Sequence, residues 1–194
     1  MRVLPVTNSN KMLESFLTVR ERFRHEFFSE QDGVNDYMRQ LYRLNGYLLQ
    51  DDGDTGYSGA FVLAPYSPAF YPKPVFPNAW RPKSNFAQIQ FIAYDGKEHI
   101  TKIIQAFCVS MKLRDDLVFP LTVTAHASTE KGLLFQYISG FKRVFGSDLT
   151  QQEFGAVTIN DPMDAVAFAK TNWRNTLKSY RSKVGTYQLT TNHQ

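Results

Sequence analysis

The sequence predicts a single α/β domain, of the α+β kind, from three observations. The chain has 194 residues, which is the length of one domain. Apolar residues make up 43% of it and aromatic residues 14%, so a packed core is expected rather than disorder. Segments in which apolar residues recur at helical spacing alternate with short strand-like runs. We place the domain at residues 1–184, followed by a polar tail at 185–194.

Cysteine content and hydropathy narrow the class of protein further. Cys108 is the single cysteine, so no internal disulfide can form, and its apolar neighbours predict a small buried side chain. A nucleophilic role would need a neighbouring base, and none is evident. No apolar run reaches the roughly 18 residues of a membrane span. The first residues lack the apolar segment of a signal peptide, so we expect a cytoplasmic protein without membrane contact.

The first two elements are a strand and an amphipathic helix. Residues 2–6 are predicted to form a short strand, and Pro5 favours an edge position. Residues 9–28 have the apolar spacing of a helix. The side chains expected to point inward are Met12, Leu13, Phe16, Leu17, Val19, Phe23 and Phe27. The charged side chains expected to face solvent are Arg20, Glu21, Arg22, Arg24 and Glu26.

A second helix and a hairpin are predicted next. Residues 34–44 form the shorter helix, which Asn45 and Gly46 would end. Residues 47–64 have the pattern of two strands joined by a turn cluster at 51–59. That cluster superficially resembles a calcium loop, but it lacks the acidic residue that closes an EF-hand loop. We therefore expect no metal site there.

Residues 65–85 form a long segment rich in proline and aromatic residues. Its six prolines exclude a regular helix or a central strand. Loops of this length often carry function. Three interpretations stay open, because the aromatic side chains could pack back on the domain, line a substrate cleft, or meet a protein partner.

The second half of the chain returns to a regular alternation of strands and helices. Strands are predicted at 86–94, 118–127 and 154–159, and helices at 97–116, 128–141 and 161–180. Asp161 is expected to cap the last helix, with Pro162 at its first position. In the first of these helices the residues expected inward are Ile100, Ile103, Ile104, Phe107, Val109 and Met111. The order strand, helix, strand, helix within this part of the chain is one basis of a family resemblance.

Two stretches resemble the core of a GCN5-related N-acetyltransferase (GNAT) domain. The helix at 128–141 has a small residue at Gly132 and runs into GFKRV at 140–144, and LTVTAHAS precedes it at 121–128. The resemblance covers about residues 86–145. It implies a mixed, mostly antiparallel sheet flanked by helices, here with an extra C-terminal helix. It also implies an N-acyltransferase that moves an acyl group from acetyl-CoA, or another acyl-CoA, to a small-molecule or protein amine.

The resemblance also implies where the cofactor would bind. In that family two neighbouring strands separate, and the pantetheine arm bonds to the backbone that this exposes. The matching residues here are Phe91, Ile92, Ala93 and Tyr94. The pyrophosphate would lie at the N-terminus of the next helix, which attracts anions, with Gly96, Lys97 and Thr101 as contacts. Asp95 and Glu98 depart from the family's pattern, because their charges repel a pyrophosphate.

Two residues are candidates for acid and base catalysis. The general acid usual in the family, a tyrosine, aligns with Gln136, and Tyr137 stands one position further on. His126 ends the strand at 118–127, where the resemblance implies an acceptor cleft, and it would serve there as a general base. The alternatives left open are a tyrosine packed in the core and a structural or surface histidine.

Other chemistries find little support in the sequence. It has no zinc-type spacing of His or Cys, no P-loop, no nucleophile elbow and no dinucleotide fingerprint. The net charge is +4, and the last predicted helix has a basic face formed by Lys170, Arg174, Lys178 and Arg181. Two alternatives to an acyltransferase therefore stay open. One is an inactive GNAT-fold structural or partner-binding protein, for example a bacteriophage virion component, and the other is a small nucleic-acid-binding protein.

Overall fold

A seven-stranded sheet with helices on both faces forms the described part of the chain. In the computed structural model the elements are β1 (Arg2–Pro5), α1 (Asn10–Arg22), α2 (Arg24–Phe27), α3 (Asp36–Asn45), β2 (Gly46–Gln50), β3 (Gly59–Pro65), β4 (Asn85–Tyr94), α4 (Ile100–Lys112), β5 (Leu121–Ala127), β6 (Lys142–Gly146) and β7 (Glu153–Ile159). The structure describes residues 1–6, 9–27, 33–65, 85–96, 100–112, 114–127, 132, 135–137, 139–146, 153–161 and 163. The predicted α+β class is confirmed.

The strand order joins two antiparallel groups through one parallel pair. Across the sheet the order is β1-β2-β3-β4-β5-β7-β6. The strands from β1 to β4 pair antiparallel with their neighbours, and so do β5, β7 and β6. β4 and β5 run parallel, and the segment between them contains α4, as the crossover of a parallel pair commonly does. The sheet is therefore mixed and mostly antiparallel.

Each face of the sheet carries its own buried apolar cluster. On the α4 face, which α4 covers, Phe61 stacks on Tyr47 with ring centroids 4.6 Å apart and meets Phe107 edge-on at 5.3 Å. On the opposite α1–α3 face, Leu48 and Phe16 have no exposed surface. Because both faces are covered, β2 and β3 are buried at nearly every position rather than at alternate ones.

A bulge in β4 changes which side chains point to each face. The register between β3 and β4 shifts by one residue, which leaves Gln90 as an additional residue in β4. Before the bulge, Ile89 packs in the cluster on the α4 face. After it, Ile92 and Tyr94 pack there, while Ala93 belongs to the α1–α3 face. The bulge therefore moves even-numbered side chains to the face that odd-numbered ones occupied.

The strand, helix and hairpin of the N-terminal half confirm the sequence-based prediction. β1 lies at the edge of the sheet, as Pro5 indicates. Asn35 caps α3 by accepting the Met38 N–H at 2.9 Å, and α3 passes directly into β2 at Gly46. β2 and β3 form the expected antiparallel hairpin. The predicted loop at 65–85 lies outside the described residues except at its two ends.

The predicted amphipathic helix is present over a shorter range. Its buried apolar residues are Leu13, Phe16 and Val19, and Phe23 directly after it is buried as well. The Phe23 N–H donates to the Arg20 carbonyl at 3.2 Å, a tighter turn that ends α1, and α2 begins at Arg24. Two segments therefore replace the single predicted helix. The side chain of Phe27 lies outside the described parts of the chain.

Arg20 is buried, so the prediction that it faces solvent is wrong. Arg20 is 2% exposed, and its Nε donates to the Tyr42 hydroxyl at 3.0 Å. Arg20 follows Phe16 by one helical turn and Leu13 by two, which places it on the buried stripe of α1. The position of Arg20 on α1 therefore decides its burial. The hydroxyl of Tyr42 in α3 accepts a hydrogen bond from its guanidinium.

α4 packs on the sheet through the residues that its periodicity indicates. Ile103, Phe107 and Met111 are buried, as predicted. Cys108 is 1% exposed, and burial raises the pKa of its thiol to about 12. The prediction of a small buried side chain at this position is therefore confirmed. The side chains also expected inward but lying outside the described parts are Ile100, Ile104 and Val109.

Arg114, in the loop after α4, connects three parts of the domain. Its guanidinium forms two hydrogen bonds with Asp116 and donates to the Leu63 carbonyl at 2.7 Å and to Asn45 Oδ1 at 3.2 Å. Leu63 lies one residue beyond Val62, the last β3 residue paired with β2. Arg114 therefore satisfies a backbone acceptor at the point where β2 no longer runs beside β3.

Near the C-terminus the structure contains a strand that the sequence analysis did not predict. β6 pairs with β7 and forms the second edge of the sheet. Lys142 and Arg143 give β6 little strand signal, although charged residues are common on edge strands. Asp161 accepts the Met163 N–H at 2.8 Å, as expected of a helix cap. The rest of the last predicted helix, with its basic face, and the C-terminal tail lie outside the described residues.

Candidate functional site

β4 and β5 are paired along only part of their length. Their parallel register begins at Asn85 and ends where Ile89 pairs with Ala125, although β4 continues to Tyr94 and β5 to Ala127. Beyond that point β4 stays paired with β3 and β5 with β7. Among the described residues, no strand covers the edges of β4 and β5 that then face each other. The sheet therefore opens between the C-terminal ends of these two strands.

The backbone predicted to contact pantetheine lies along this opening. The bulge at Gln90 follows the last β4 residue paired with β5, and a bulge bends a strand and increases its twist. The residues beyond it are the predicted contacts Phe91, Ile92, Ala93 and Tyr94. Each of them pairs with a residue of β3, which fixes the strand from its other side. The side chain of Phe91 lies outside the described parts.

A buried carboxylate lies under the turn that follows β4. Asp51, directly after β2, is 5% exposed and accepts the Tyr94 hydroxyl at 2.8 Å and the Ser58 hydroxyl at 3.0 Å. A Cβ atom at Gly96 would overlap Asp51 Oδ2 and come within 2.5 Å of the Tyr94 hydroxyl. A side chain at position 96 would therefore displace the Asp51 carboxylate or the Tyr94 ring, and the ends of β2, β3 and β4 meet at Asp51.

Asp95, the first residue of this turn, is held by its backbone and by its side chain. Its N–H donates to the Ser58 carbonyl at 3.0 Å. Its carboxylate lies 3.5 Å from the guanidinium of Arg22, which also donates to the Tyr57 carbonyl at 2.8 Å. Both charged side chains are 45% exposed, so the pair contributes little to stability. It does place a positive charge beside the carboxylate that would otherwise repel an anion.

α4 begins shortly after this turn. Thr101 lies in the first turn of α4, and that turn contains no acidic residue. Gly96 and Thr101 therefore lie at the two ends of the segment between β4 and α4, where the pyrophosphate is expected. Lys97, Glu98 and the side chain of Thr101 lie outside the described parts of the chain.

Gln136, at the position expected for a general acid, is a structural residue. It is 4% exposed, and its Nε2 donates to the Ala125 carbonyl at 2.9 Å. A Cβ atom at Gly155 of β7 would lie 2.7 Å from Gln136 Oε1, so glycine makes room for this amide. Ala125 is the last β5 residue paired with β4. The contact therefore fixes β5 at the point where the sheet opens.

The two predicted catalytic residues lie next to this contact. Tyr137 follows Gln136 in the same short helical segment and is half-buried. His126 follows Ala125 in β5 and pairs with Phe154 of β7, while its side chain lies outside the described parts. The bond between Gln136 and Ala125 therefore brings the backbone positions of Tyr137 and His126 to the same end of the opening.

A groove on the α4 face lies away from this opening. Its volume is about 410 Å³, and Met1 and Val3 of the β1 segment line one side while Lys102 and Ser110 of α4 line the other. β2 and β3 separate β1 from β4 in the sheet. At one end of the groove the Met1 ammonium pairs with Asp52 at 2.7 Å. The groove is therefore distinct from the site between β4 and β5.

Two features are absent from the described part of the chain. It contains no group of three or more His, Cys, Asp or Glu side chains placed to hold a metal ion. None of its helices is long and apolar enough to span a bilayer. The site between β4 and β5 therefore consists, in these residues, of strand backbone, hydroxyls, one buried carboxylate and one buried amide.

Asp51 and Ser58 were not recognised as site residues from the sequence. Both lie in the turn cluster at 51–59, and Asp51 is 43 positions away from its partner Tyr94. The signal that could have identified Asp51 is an acidic residue directly after a fully buried strand. The signal for the turn is Gly96, because a glycine directly after a strand often marks a close approach of the backbone.

Comparisons with known proteins identify no relative of this chain. No protein-family model matches the chain, and a search of curated proteins finds no match. The assignment of a function therefore depends on the opening between β4 and β5, the turn above Asp51 and the contact between Gln136 and Ala125.

Proposed function

We propose that this chain is a GNAT-like N-acyltransferase, which moves an acyl group from acetyl-CoA or another acyl-CoA to an amine of a small molecule or protein. The observation that carries the proposal is the opening between β4 and β5. A mixed sheet in which two neighbouring strands separate is what the sequence resemblance implies. The residues that the resemblance assigns to the cofactor, Phe91 to Tyr94, lie along that opening.

The exposed edge of β4 suits a pantetheine arm. Pantetheine is an extended chain with amide groups, so it can bond to a strand edge as an added strand would. The backbone of Phe91 and Ala93 is held in place by pairing with β3. On the other side, the bond from Gln136 to Ala125 holds β5. An opening that is formed before the ligand arrives lowers the ordering cost of binding.

The segment between β4 and α4 suits the pyrophosphate. The N–H groups of the first helical turn point toward an anion, and the helix dipole favours negative charge there. No acidic residue in the first turn of α4 opposes this attraction. Arg22 offsets the charge of Asp95, the first residue of the turn. These features support anion binding at this position although Asp95 and Glu98 depart from the family's pattern.

The transfer would proceed by direct attack of the amine on the thioester. The amine nitrogen forms a bond to the acyl carbon, and the C–S bond breaks with its electron pair moving to the CoA sulfur. His126 would accept the proton that the amine loses, and Tyr137 would donate a proton to the thiolate. The products are an amide and the CoA thiol, and solvent returns the proton from His126 to Tyr137.

One observation favours a second candidate function. Gln136 takes the place of the usual general acid, and its amide is bonded to the Ala125 carbonyl. An amide side chain donates hydrogen bonds but does not release a proton as an acid. The second candidate is therefore a GNAT-fold protein that binds an acyl-CoA without transferring its acyl group.

Isothermal titration with acetyl-CoA tests the proposed site. We expect micromolar binding by the wild type and weaker binding by Gly96→Ala, because the added methyl group overlaps Asp51 and displaces the turn. Gly56→Ala is the matched control, since a Cβ atom there meets nothing within 4 Å. Equal affinities of all three proteins would contradict the position of the site, and no binding at millimolar acetyl-CoA would refute both candidate functions.

A thiol-release assay separates the two candidates once binding is found. The protein is incubated with acetyl-CoA and a panel of small-molecule and peptide amines, and free CoA is measured. Release that depends on an amine and decreases in Tyr137→Phe supports the transferase. Binding without amine-dependent release across the panel supports the second candidate.

A further inference from the structure

We propose that Asp51 is a positioning residue for the cofactor, acting through Tyr94 on the turn between β4 and α4. This inference rests on the proposed acyl-CoA site. Asp51 lies beneath the turn, in the loop after β2, and is 5% exposed. Its role would be to fix the direction in which the backbone leaves β4, and therefore where the first amide groups of the turn meet a pyrophosphate.

The contacts of Asp51 join three strand ends. Oδ1 accepts the hydroxyl of Tyr94, the last residue of β4, at 2.8 Å. Oδ2 accepts the hydroxyl of Ser58, directly before β3, at 3.0 Å. The bond from the Asp95 N–H to the Ser58 carbonyl, 3.0 Å long, runs beside them. A rotation of the turn would therefore break at least one contact to this carboxylate or to its neighbour.

Burial makes these contacts sensitive to small changes. A buried carboxylate that loses a hydroxyl donor loses a hydrogen bond that water cannot readily replace, so the side chain is expected to shift. Gly96 packs directly against Asp51 Oδ2 and the Tyr94 ring. A displaced Asp51 side chain would therefore displace the backbone of Gly96, from which the anion-binding segment starts.

The variant Tyr94→Phe tests this inference, because it removes one hydroxyl and keeps the ring. Two ligands are compared: acetyl-CoA, which carries the pyrophosphate, and acetyl-pantetheine, which lacks it. We expect Tyr94→Phe to bind acetyl-CoA about tenfold more weakly, which corresponds to about 1.4 kcal/mol. Binding of acetyl-pantetheine, followed by NMR shifts at millimolar concentration, should stay unchanged, because phenylalanine keeps the backbone of position 94, the only part of Tyr94 assigned to pantetheine. Tyr57→Phe is the matched control, since the Tyr57 hydroxyl contacts Met12 Sδ at 3.6 Å on α1.

Each outcome of this experiment decides the inference. A loss confined to acetyl-CoA in Tyr94→Phe, with Tyr57→Phe like the wild type, supports it. Equal losses for both ligands, accompanied by a lower melting temperature, would indicate a merely structural contact and overturn the inference while leaving the proposed function standing. Unchanged binding of both ligands would also overturn the inference, because the Tyr94 hydroxyl would then have no effect on cofactor binding. A wild type that binds no acetyl-CoA would overturn the proposed function and this inference together.

Discussion

Single buried polar side chains hold together segments that lie far apart in this sequence. Arg114 joins the end of α3 to β3, Gln136 fixes β5, and Asp51 joins β2, β3 and β4. Local sequence patterns could not predict these contacts, because a polar residue can be buried only where the fold provides its partners. Arg20 illustrates the same point, since its charge predicts exposure whereas its place on α1 leads to burial against Tyr42.

Replacing Arg114 should destabilise the protein strongly. We expect Arg114→Met to lower the free energy of unfolding by about 3 kcal/mol, because the Leu63 carbonyl and Asp116 lose their donors. Arg39→Met is the control, since the Arg39–Glu14 pair is exposed and should be worth less than about 1 kcal/mol. Urea unfolding followed by circular dichroism measures both. Equal losses in the two variants would contradict the assigned role of Arg114.

The same contact should appear in the titration of Asp116. The hydrogen bonds from Arg114 hold the pKa of the Asp116 carboxyl below its ordinary value of 3.8. A carboxyl whose folded pKa is depressed stabilises the fold above its unfolded pKa, and this contribution is lost as the pH falls through the folded pKa. We expect NMR titration to give a higher Asp116 pKa in Arg114→Met than in the wild type. An identical value in both proteins would argue against the contact.

Cys108 should be unreactive in the folded protein. Burial raises the pKa of its thiol to about 12, so almost no thiolate is present at pH 8. We expect Ellman's reagent at pH 8 to detect no thiol in the native protein and one thiol per chain in guanidinium chloride. Rapid modification of the native protein would show that Cys108 is accessible and would reopen a nucleophilic role.

Individual elements could largely be predicted from the sequence, and the failures are local. The hairpin of β2 and β3 and the helix α4 follow from apolar spacing and turn residues, which act over a few positions. The bulge at Gln90 could not be predicted, because it depends on how β4 fits against β3. β6 was missed because Lys142 and Arg143 dominate a short edge strand, where pairing with β7 provides the structure.

Gly155 of β7 leaves room for the Gln136 side chain, so a larger residue at this position should destabilise the protein. Gly155→Ala places a methyl group 2.7 Å from Gln136 Oε1, so the amide must move and its bond to Ala125 weakens. We expect a loss of about 1–3 kcal/mol in the free energy of unfolding. In a double-mutant cycle with Gln136→Ala, the cost of Gly155→Ala should fall, because the clash has been removed. Strictly additive costs, measured by urea unfolding, would contradict a direct contact.

For the molecule as a whole, the α+β class could be predicted from the sequence, but the order of the strands in the sheet could not. Alternating helices and strands were enough to predict the α+β class, and the family resemblance implied a mixed sheet. The strand order depends on pairs such as Ile89 with Ala125, which are 36 residues apart by number and have no local signal. The cofactor contacts along β4 could be predicted, because the family resemblance assigns them to positions in the sequence. Asp51 could not be predicted, because it meets Tyr94 only in the folded chain.

The two clusters on opposite faces should unfold together, because β2 and β3 contribute to both. Phe61 in one cluster and Phe16 in the other have no exposed surface. We expect Phe61→Ala and Phe16→Ala each to lower the free energy of unfolding by about 3–5 kcal/mol in a single transition. Circular dichroism in the far and near ultraviolet should give coincident curves. Separate transitions in either variant would mean that the clusters are independent.

The bulge at Gln90 restricts how the length of β4 can vary during evolution. A deletion of one residue at this point would restore strict alternation along the strand. Ile92, Ala93 and Tyr94 would keep their β3 partners and their faces, so the Tyr94 hydroxyl would still reach Asp51. A deletion between the bulge and Tyr94 would instead shift the register against β3 by one residue and turn the Tyr94 hydroxyl away from Asp51. Homologues that keep the Asp51–Tyr94 contact but have one residue fewer in β4 should therefore lack the bulge.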